Sequence, residues 1–227
     1  MKKTSLLLLS LLLSLCVSGQ TERKYSTYYY QRATLFEQLP VNADDILFVG
    51  NSITDGGEWG ELFQNPRVKN RGISGDTTWG VYDRLSVLTQ GKPAQIFLLI
   101  GINNVPQGES ADSIAAGVRR IVKKIKDESP RTEILVQSVL PVTPKYKMFD
   151  GHTSRWQMIP EINRLIQRMA AEEQVKYIDL FSHFADEEGQ MKTEYTNDGL
   201  HLLGKGYLLW KEIVTPYLKK LKQRNYS

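Results

Sequence analysis

Five short strand candidates, set apart by stretches with helical periodicity, constrain this chain more than any other feature of its sequence. They are Asp45–Gly50, Val68–Arg71, Gln95–Ile100, Glu133–Val139 and Val175–Leu180. Asp45–Gly50 and Gln95–Ile100 are apolar almost throughout, which a strand needs only when both of its faces are buried. Between the strands, Thr77–Leu88 places Val81, Leu85 and Leu88 at helical spacing. Ser113–Lys126 carries Ile114, Val118, Ile121, Val122 and Ile125 on one helical face, with Arg and Lys opposite. Trp156–Glu173 repeats the stripe through Ile159, Ile162, Leu165, Ile166 and Met169. Lys205–Leu221 reads as a closing helix with Tyr207, Trp210, Val214, Tyr217 and Leu221 inward. Ahead of the first strand, Tyr25–Leu39 reads as a polar-aromatic helix covering one side of a core with Tyr28, Tyr29, Leu35, Phe36 and Leu39. This alternation predicts an α/β chain: a single-domain, three-layer α/β/α sandwich around a mostly parallel five-stranded sheet. Ligands of such sheets bind beyond the carboxyl ends of the strands. The loops after Gly50, Arg71, Gly101 and Val139 are therefore the places to look for chemistry.

The first nineteen residues fall outside that pattern. A basic start, Met1-Lys2-Lys3, leads into an apolar run, Leu6–Leu15, broken only by Ser10 and Ser14. Val17-Ser18-Gly19 then resembles a processing site. Residues 1–19 are read as a secretory signal peptide cut before Gln20, and residues 20–227 as the mature domain, with 20–40 as an N-terminal helical extension. The run is too short to span a membrane, so a secreted or periplasmic protein with no transmembrane segment is expected. The only cysteine, Cys16, lies in the leader. The mature domain then has no thiol, disulfide or cysteine metal site. A lipid-anchored form on Cys16 is the lesser reading, because Leu15 stands where a small residue is wanted. A net charge of +4, two of whose lysines leave with the leader, makes a weak case for nucleic acid. The basic cluster Lys219–Arg224 reads instead as a solvated helix end.

Three strand-end loops carry small polar groups: Gly50-Asn51-Ser52-Ile53-Thr54, Gly72-Ile73-Ser74-Gly75-Asp76-Thr77-Thr78 and Gly101-Ile102-Asn103-Asn104. Near the C-terminus stands Asp198-Gly199-Leu200-His201. A serine hydroxyl is a poor nucleophile until a base takes its proton. His201 could be that base for Ser52, with Asp198, three residues away, holding the imidazole in the right tautomer. A tetrahedral intermediate needs donors aimed at its oxyanion. The N–H of Ser52, the N–H of Gly72 and the side-chain amide of Asn103 could supply three. Each motif is weak alone; their order and their placement at successive strand ends make the set specific.

On these residues the chain resembles the SGNH hydrolases, the GDSL-type lipases and esterases. The letters of the name match Ser52, Gly72, Asn103 and His201, and the match runs from the first strand to the last helix. The second loop and the Gly-x-Asn-Asn form also resemble the catalytic subunits of platelet-activating-factor acetylhydrolase, and bacterial carbohydrate acetylesterases are similar. The resemblance implies a flavodoxin-like sheet, a catalytic set of Ser52, Asp198 and His201, an oxyanion hole of Ser52, Gly72 and Asn103, and no cofactor or metal. Two departures stand out. Asn51 precedes the serine, where the family usually has Asp, and Asn104 follows the oxyanion asparagine, where the family often has Asp.

Asn51, Asn104, Trp79, Tyr146, His152 and Trp156 are candidate substrate-binding residues. Tyr146, Met148, Phe149 and Trp156 belong to the long Pro141–Arg155 loop and its exit, where a substrate pocket and an inward-folded loop are equal readings. Trp79 either faces substrate or packs beneath the second loop. His183 reads as a surface or helix-start residue, and Asp186, Glu187 and Glu188 as solvated rather than metal-binding. The expected activity is hydrolysis of short-chain esters, acetyl above all, of a small molecule such as an acetylated sugar. The alternatives are a lipid-directed acylhydrolase and a catalytically silent carbohydrate-binding module. The oligomeric state is not legible.

Overall fold

The computed structural model describes residues 24–219. Residues 1–23, with the expected leader and Cys16, and residues 220–227, with Leu221 and most of the basic cluster, lie outside the described residues. Five parallel strands form one sheet in the order β2-β1-β3-β4-β5. They are β1 (Ile46–Gly50), β2 (Val68–Gly72), β3 (Gln95–Leu99), β4 (Glu133–Gln137) and β5 (Lys176–Ile178). The α/β sandwich with an all-parallel sheet agrees with the expected class. β1, β3 and most of β4 are fully buried, as their apolar sequences require. The chain leaves β1 toward β2 on one side and returns to β3 on the other, so a crevice opens between the carboxyl ends of β1 and β3.

The helices are α1 (Thr27–Gln38), α2 (Ser52–Asp55), α3 (Trp59–Leu62), α4 (Thr78–Thr89), α5 (Ala111–Glu128), α6 (Asp150–Thr153), α7 (Ile159–Glu172), α8 (Phe181–Phe184) and α9 (Gly204–Val214). Their starts are written in the sequence. Ser26, Thr77 and Ser110 each turn a side-chain oxygen onto the N–H three residues on, capping α1, α4 and α5. Pro160 sits in the first turn of α7, where its missing N–H costs nothing. Helices α4, α5 and α7 pack side by side on one sheet face. On the other, Phe48 stacks on Trp59 at 4.0 Å and on Phe97 at 4.8 Å, and Trp210 of α9 meets Trp59 edge-on at 4.7 Å. Burying such rings is worth about 1.5–3 kcal/mol each. The indole N–H groups are also satisfied: Trp210 donates to Gln137 and Trp59 to the carbonyl of Thr54.

Three expectations need correction. The closing helix ends at Val214 rather than Leu221, because Pro216 follows and the chain turns through a 3-10 segment, Thr215–Tyr217. Tyr217 is then 37% exposed instead of inward. In α1 only Tyr29 and Phe36 are buried, while Tyr28, Leu35 and Leu39 face solvent. Tyr29 and Phe36 lie two turns apart on the one stripe that reaches Ile73 and α4. Finally, two strands are shorter than expected: β5 spans Lys176–Ile178 rather than Val175–Leu180, and β4 stops at Gln137 rather than Val139. The amide of Asn163 takes over there, accepting from the Val139 N–H and donating to its carbonyl, each at 2.8 Å.

Candidate active site

Ser52 opens α2 immediately beyond β1. The turn is fixed by Asn51, whose Oδ1 accepts the Ile53 N–H at 3.0 Å. That assignment leaves Ser52 free of the capping role, and its own N–H, the first of the helix, has no acceptor inside it. The Ser52 Oγ lies 3.0 Å from Nε2 of His201. The other ring nitrogen, Nδ1, lies 2.7 Å from Oδ2 of Asp198. Oδ1 of Asp198 accepts the backbone N–H groups of Leu200 and His201, both at 2.8 Å. Burial pushes this carboxyl up, but those two N–H groups and the His201 ring outweigh it and hold it below the usual carboxylate range. Asp198 is thus an anion at neutral pH and selects the tautomer with the proton on Nδ1. Nε2 is then left as an acceptor facing the serine hydroxyl.

The residues expected to bind an oxyanion come from three loops. Asn103 follows β3 and is nearly buried; its Nδ2 donates to the carbonyl of Asp76 at 2.8 Å, and its Oδ1 lies 3.0 Å from Nε2 of His152. One Nδ2 hydrogen remains for a ligand. Gly72 does not fit the role expected of it. It is buried, and its N–H donates to Oδ1 of Asn70 at 2.8 Å. A Cβ there would meet the Asp55 backbone nitrogen at 2.3 Å, so the glycine is required for packing against α2. Three residues on, Gly75 is exposed, has φ of +81°, and its N–H has no partner among the described residues. The Gly75 N–H is therefore free to donate, whereas that of Gly72 is not. The sequence does show both glycines, but only the fold reveals which N–H is free.

Behind Gly75, Asp76 is buried against Arg84, with Oδ2 accepting from Nε at 2.8 Å. Arg84 also donates to the carbonyl of Gly50, so one guanidinium ties the end of β1 to the second loop. Burial pushes the Asp76 carboxyl up to about 6 even though Arg84 pulls it down. Helix α1 closes this corner from outside, as Tyr29 donates to the carbonyl of Gly80 and Arg32 pairs with Asp55.

The candidate substrate contacts separate on burial. Asn51 and Asn104 are 0% exposed, which removes both as surfaces for a substrate. Asn104 accepts from the Thr78 N–H, and its amide donates to Thr78 Oγ1 and to Glu109. An aspartate there would face the Glu109 carboxylate, so asparagine suits this chain. Tyr146 donates to the carbonyl of Thr196 and Trp156 packs on the core, and each keeps part of its surface exposed. Met148 and Phe149 point outward, and the Phe149 ring lies edge-on to His201 at 5.0 Å. Trp79 is 42% exposed rather than packed beneath the second loop, with the Arg120 guanidinium 3.9 Å over its ring. It borders a cleft of about 470 Å³ that Tyr25, Ser74, Gly75 and Gln107 also line. His183 is on the surface, and Asp186, Glu187 and Glu188 are exposed. Among the described residues no group of three or more His, Cys, Asp or Glu is placed to hold a metal ion.

The sequence pattern of the GDSL-like lipase/acylhydrolase family matches residues 48–209, from β1 to α9. The chain belongs to this family. Platelet-activating factor acetylhydrolase IB subunit alpha2 of Rattus norvegicus is 31% identical over 169 residues, which is 72% of this chain and 71% of that protein. A solved structure from Streptococcus pneumonia, provisionally described as a platelet activating factor, is 29% identical with a TM-score of 0.77, covering 85% of this chain and 93% of that one. A mutant of an acetylxylan esterase from Geobacillus stearothermophilus shares the fold at 19% identity and a TM-score of 0.61, covering 82% of this chain and 99% of that one. The GDSL chain described here is accordingly a carboxylic ester hydrolase. No helix among its described residues is long and apolar enough to cross a membrane.

Proposed function

We propose that this hydrolase is a secreted serine esterase that removes short acyl groups, acetyl foremost, from a carbohydrate. The observation that carries the reading is the unbroken hydrogen-bonded chain from Ser52 through His201 to Asp198, at 3.0 and 2.7 Å. Ser52 Oγ attacks the ester carbonyl as Nε2 of His201 takes its proton, and the carbonyl oxygen becomes an anion. The N–H groups of Ser52 and Gly75 and the free Nδ2 hydrogen of Asn103 receive that anion. His201 returns the proton to the alcohol oxygen, which leaves, and an acetyl group stays on Ser52. Water then attacks while His201 accepts its proton. Collapse frees the acid and restores the Ser52 hydroxyl. The activated serine makes metal-activated water unnecessary.

The acetyl preference is supported by the acetylhydrolase names of the relatives. The carbohydrate is supported by the polar, aromatic cleft beside Gly75, where the Trp79 indole offers a stacking surface. A second reading, an ester of a lipid, is favoured by the exposed Phe149 ring beside His201 and by exposed Met148, its neighbour in sequence. Secretion rests on the leader pattern of residues 1–19 alone. The test compares the parent and Ser52→Ala on nitrophenyl acetate, nitrophenyl octanoate and acetylated xylooligosaccharides. Ser52→Ala should lower turnover by about 10⁴ or more on every substrate. Equal rates for variant and parent sink the mechanism. Faster cleavage of octanoate by the parent leaves the triad standing and moves the substrate to lipids.

A further inference from the structure

The loop after β4 reaches over the site and is held rigidly there. Lys147 and Phe149 both adopt left-handed backbone, with φ of 53° and 52°. Side chains persist in that region only where the surroundings fix them. The fixing contacts are present. Thr153 Oγ1 donates to the carbonyl of Met148 at 2.9 Å, Tyr146 is tied to Thr196, and Arg155 donates to the carbonyl of Val105 at 3.0 Å. The last of these joins this loop to the loop that carries Asn103. His152 is delivered by the same turn, half-buried, with Nε2 at 3.0 Å from Asn103 Oδ1.

We propose that His152 is a positioning residue for the oxyanion amide: its Nε2–H donates to Asn103 Oδ1 and so points the free Nδ2 hydrogen at the reacting carbonyl. An amide side chain can present either end to a site, and the wrong end would repel an oxyanion. Here the two neighbours leave no choice. The carbonyl of Asp76 can only accept, so it takes Nδ2. Oδ1 must then face His152, and the contact requires the proton on Nε2. Donation into Oδ1 also polarises the amide, which strengthens its N–H as a donor. Burial first, and then the charge of His201, hold the His152 ring below the ordinary imidazole value. A neutral ring can still donate from Nε2, and it adds no like charge beside His201 when that imidazole takes the Ser52 proton. The inference rests on the esterase reading of Ser52, which the Ser52→Ala variant tests separately.

The experiment measures kcat and KM on nitrophenyl acetate for His152→Ala, His152→Gln, His152→Asn, Asn103→Ala and the double variant His152→Ala/Asn103→Ala. Asn103→Ala should lose about 10² to 10³ in kcat. His152→Ala should lose about tenfold, with KM changed less than twofold, because the donor remains but is no longer aimed. Gln places an amide N–H near the position of Nε2 and should restore most of the rate. Asn reaches only as far as Nδ1 and should not. The double variant should be no slower than Asn103→Ala. Parent turnover in His152→Ala, a loss confined to KM, or multiplying losses in the double variant would overturn the proposal. The Gln and Asn pair decides the matter even if the alanine variant proves unstable.

Discussion

The proposed acid–base half of the site and the proposed oxyanion half are held together in different ways. Asp198 and His201 lie in one turn, three residues apart, and their ring-to-carboxylate bond is backed by two backbone N–H groups of the same turn. Gly199 makes that turn possible, with φ of +89° and its carbonyl accepting the Thr143 N–H. The oxyanion half has no such local closure. Asn103 is oriented by Asp76, 27 residues before it, and by His152, 49 residues after it. The Gly72–Asp76 loop is held by Arg84 and covered by α1. The proposed base and the carboxylate that orients it therefore fit into one short motif, whereas the proposed cradle for a developing anion depends on the whole carboxyl end of the sheet.

The largest effect that could break this contrast belongs to Asp198→Asn. The substitution keeps the shape of the turn but offers Nδ1 an amide in place of an anion. The wrong tautomer then faces Ser52, and turnover on nitrophenyl acetate should fall by roughly 10⁴. A loss below tenfold would mean that the acid–base half does not work as a unit. The corresponding oxyanion substitution, Asn103→Ala, is expected to cost less, because other donors remain.

Next come the two glycines of the second loop. Gly72→Ala forces a Cβ to within 2.3 Å of the Asp55 backbone nitrogen. Overpacking of this kind costs about 1–3 kcal/mol, and it should appear as a lower urea midpoint. Gly75→Ala has open space around the new Cβ but must hold φ at +81°. The loop should relax away from that geometry, misplacing one donor and lowering kcat by up to about 10². If Gly72→Ala were fully stable and catalytically dead, the expected family assignment of Gly72 would be right and the Gly75 assignment wrong.

The contrast also explains what could be read in the sequence. The strands, the apolar stripes of α4, α5 and α7, and the Asp198–His201 pair were legible, because each depends on spacing within one element. The choice between Gly72 and Gly75 was not. It turns on Asn70, whose amide bridges Thr54, Asp55 and Gly57 while its oxygen takes the Gly72 N–H. Nothing in the spacing of Asn70 announces that reach. His152 was visible as a histidine on the correct side of the sheet, but its partner Asn103 belongs to another strand end. Helix α1 was legible as a helix, yet two neighbouring stripes of aromatic and leucine residues competed for its inward face. Only the position of Ile73 and Gly80 selects Tyr29 and Phe36.

The smallest expected effect is in some ways the sharpest, because the two halves should respond to acid with opposite signs. Asp198 has its pKa lowered in the fold, so the unfolded chain binds its proton first as pH falls. Its contribution to stability is present above the unfolded value and is lost as pH drops through the folded one. Asp76 has its pKa raised from 3.8 to about 6, so between those values the folded chain binds the extra proton. Its contribution is complete below the unfolded value and is lost as pH rises through about 6. Asp198→Asn and Asp76→Asn each remove one titration while nearly keeping the side-chain shape. Urea unfolding of the parent and both variants, at pH 7.5, 6, 5 and 4 (about one step per pKa interval), reads the difference. The parent's margin over Asp76→Asn should widen as pH falls across this range, and its margin over Asp198→Asn should narrow toward the acid end. Parallel curves for the two variants would mean that Arg84 neutralises Asp76 as fully as the backbone N–H groups stabilise Asp198, and the electrostatic distinction between the two halves would be gone.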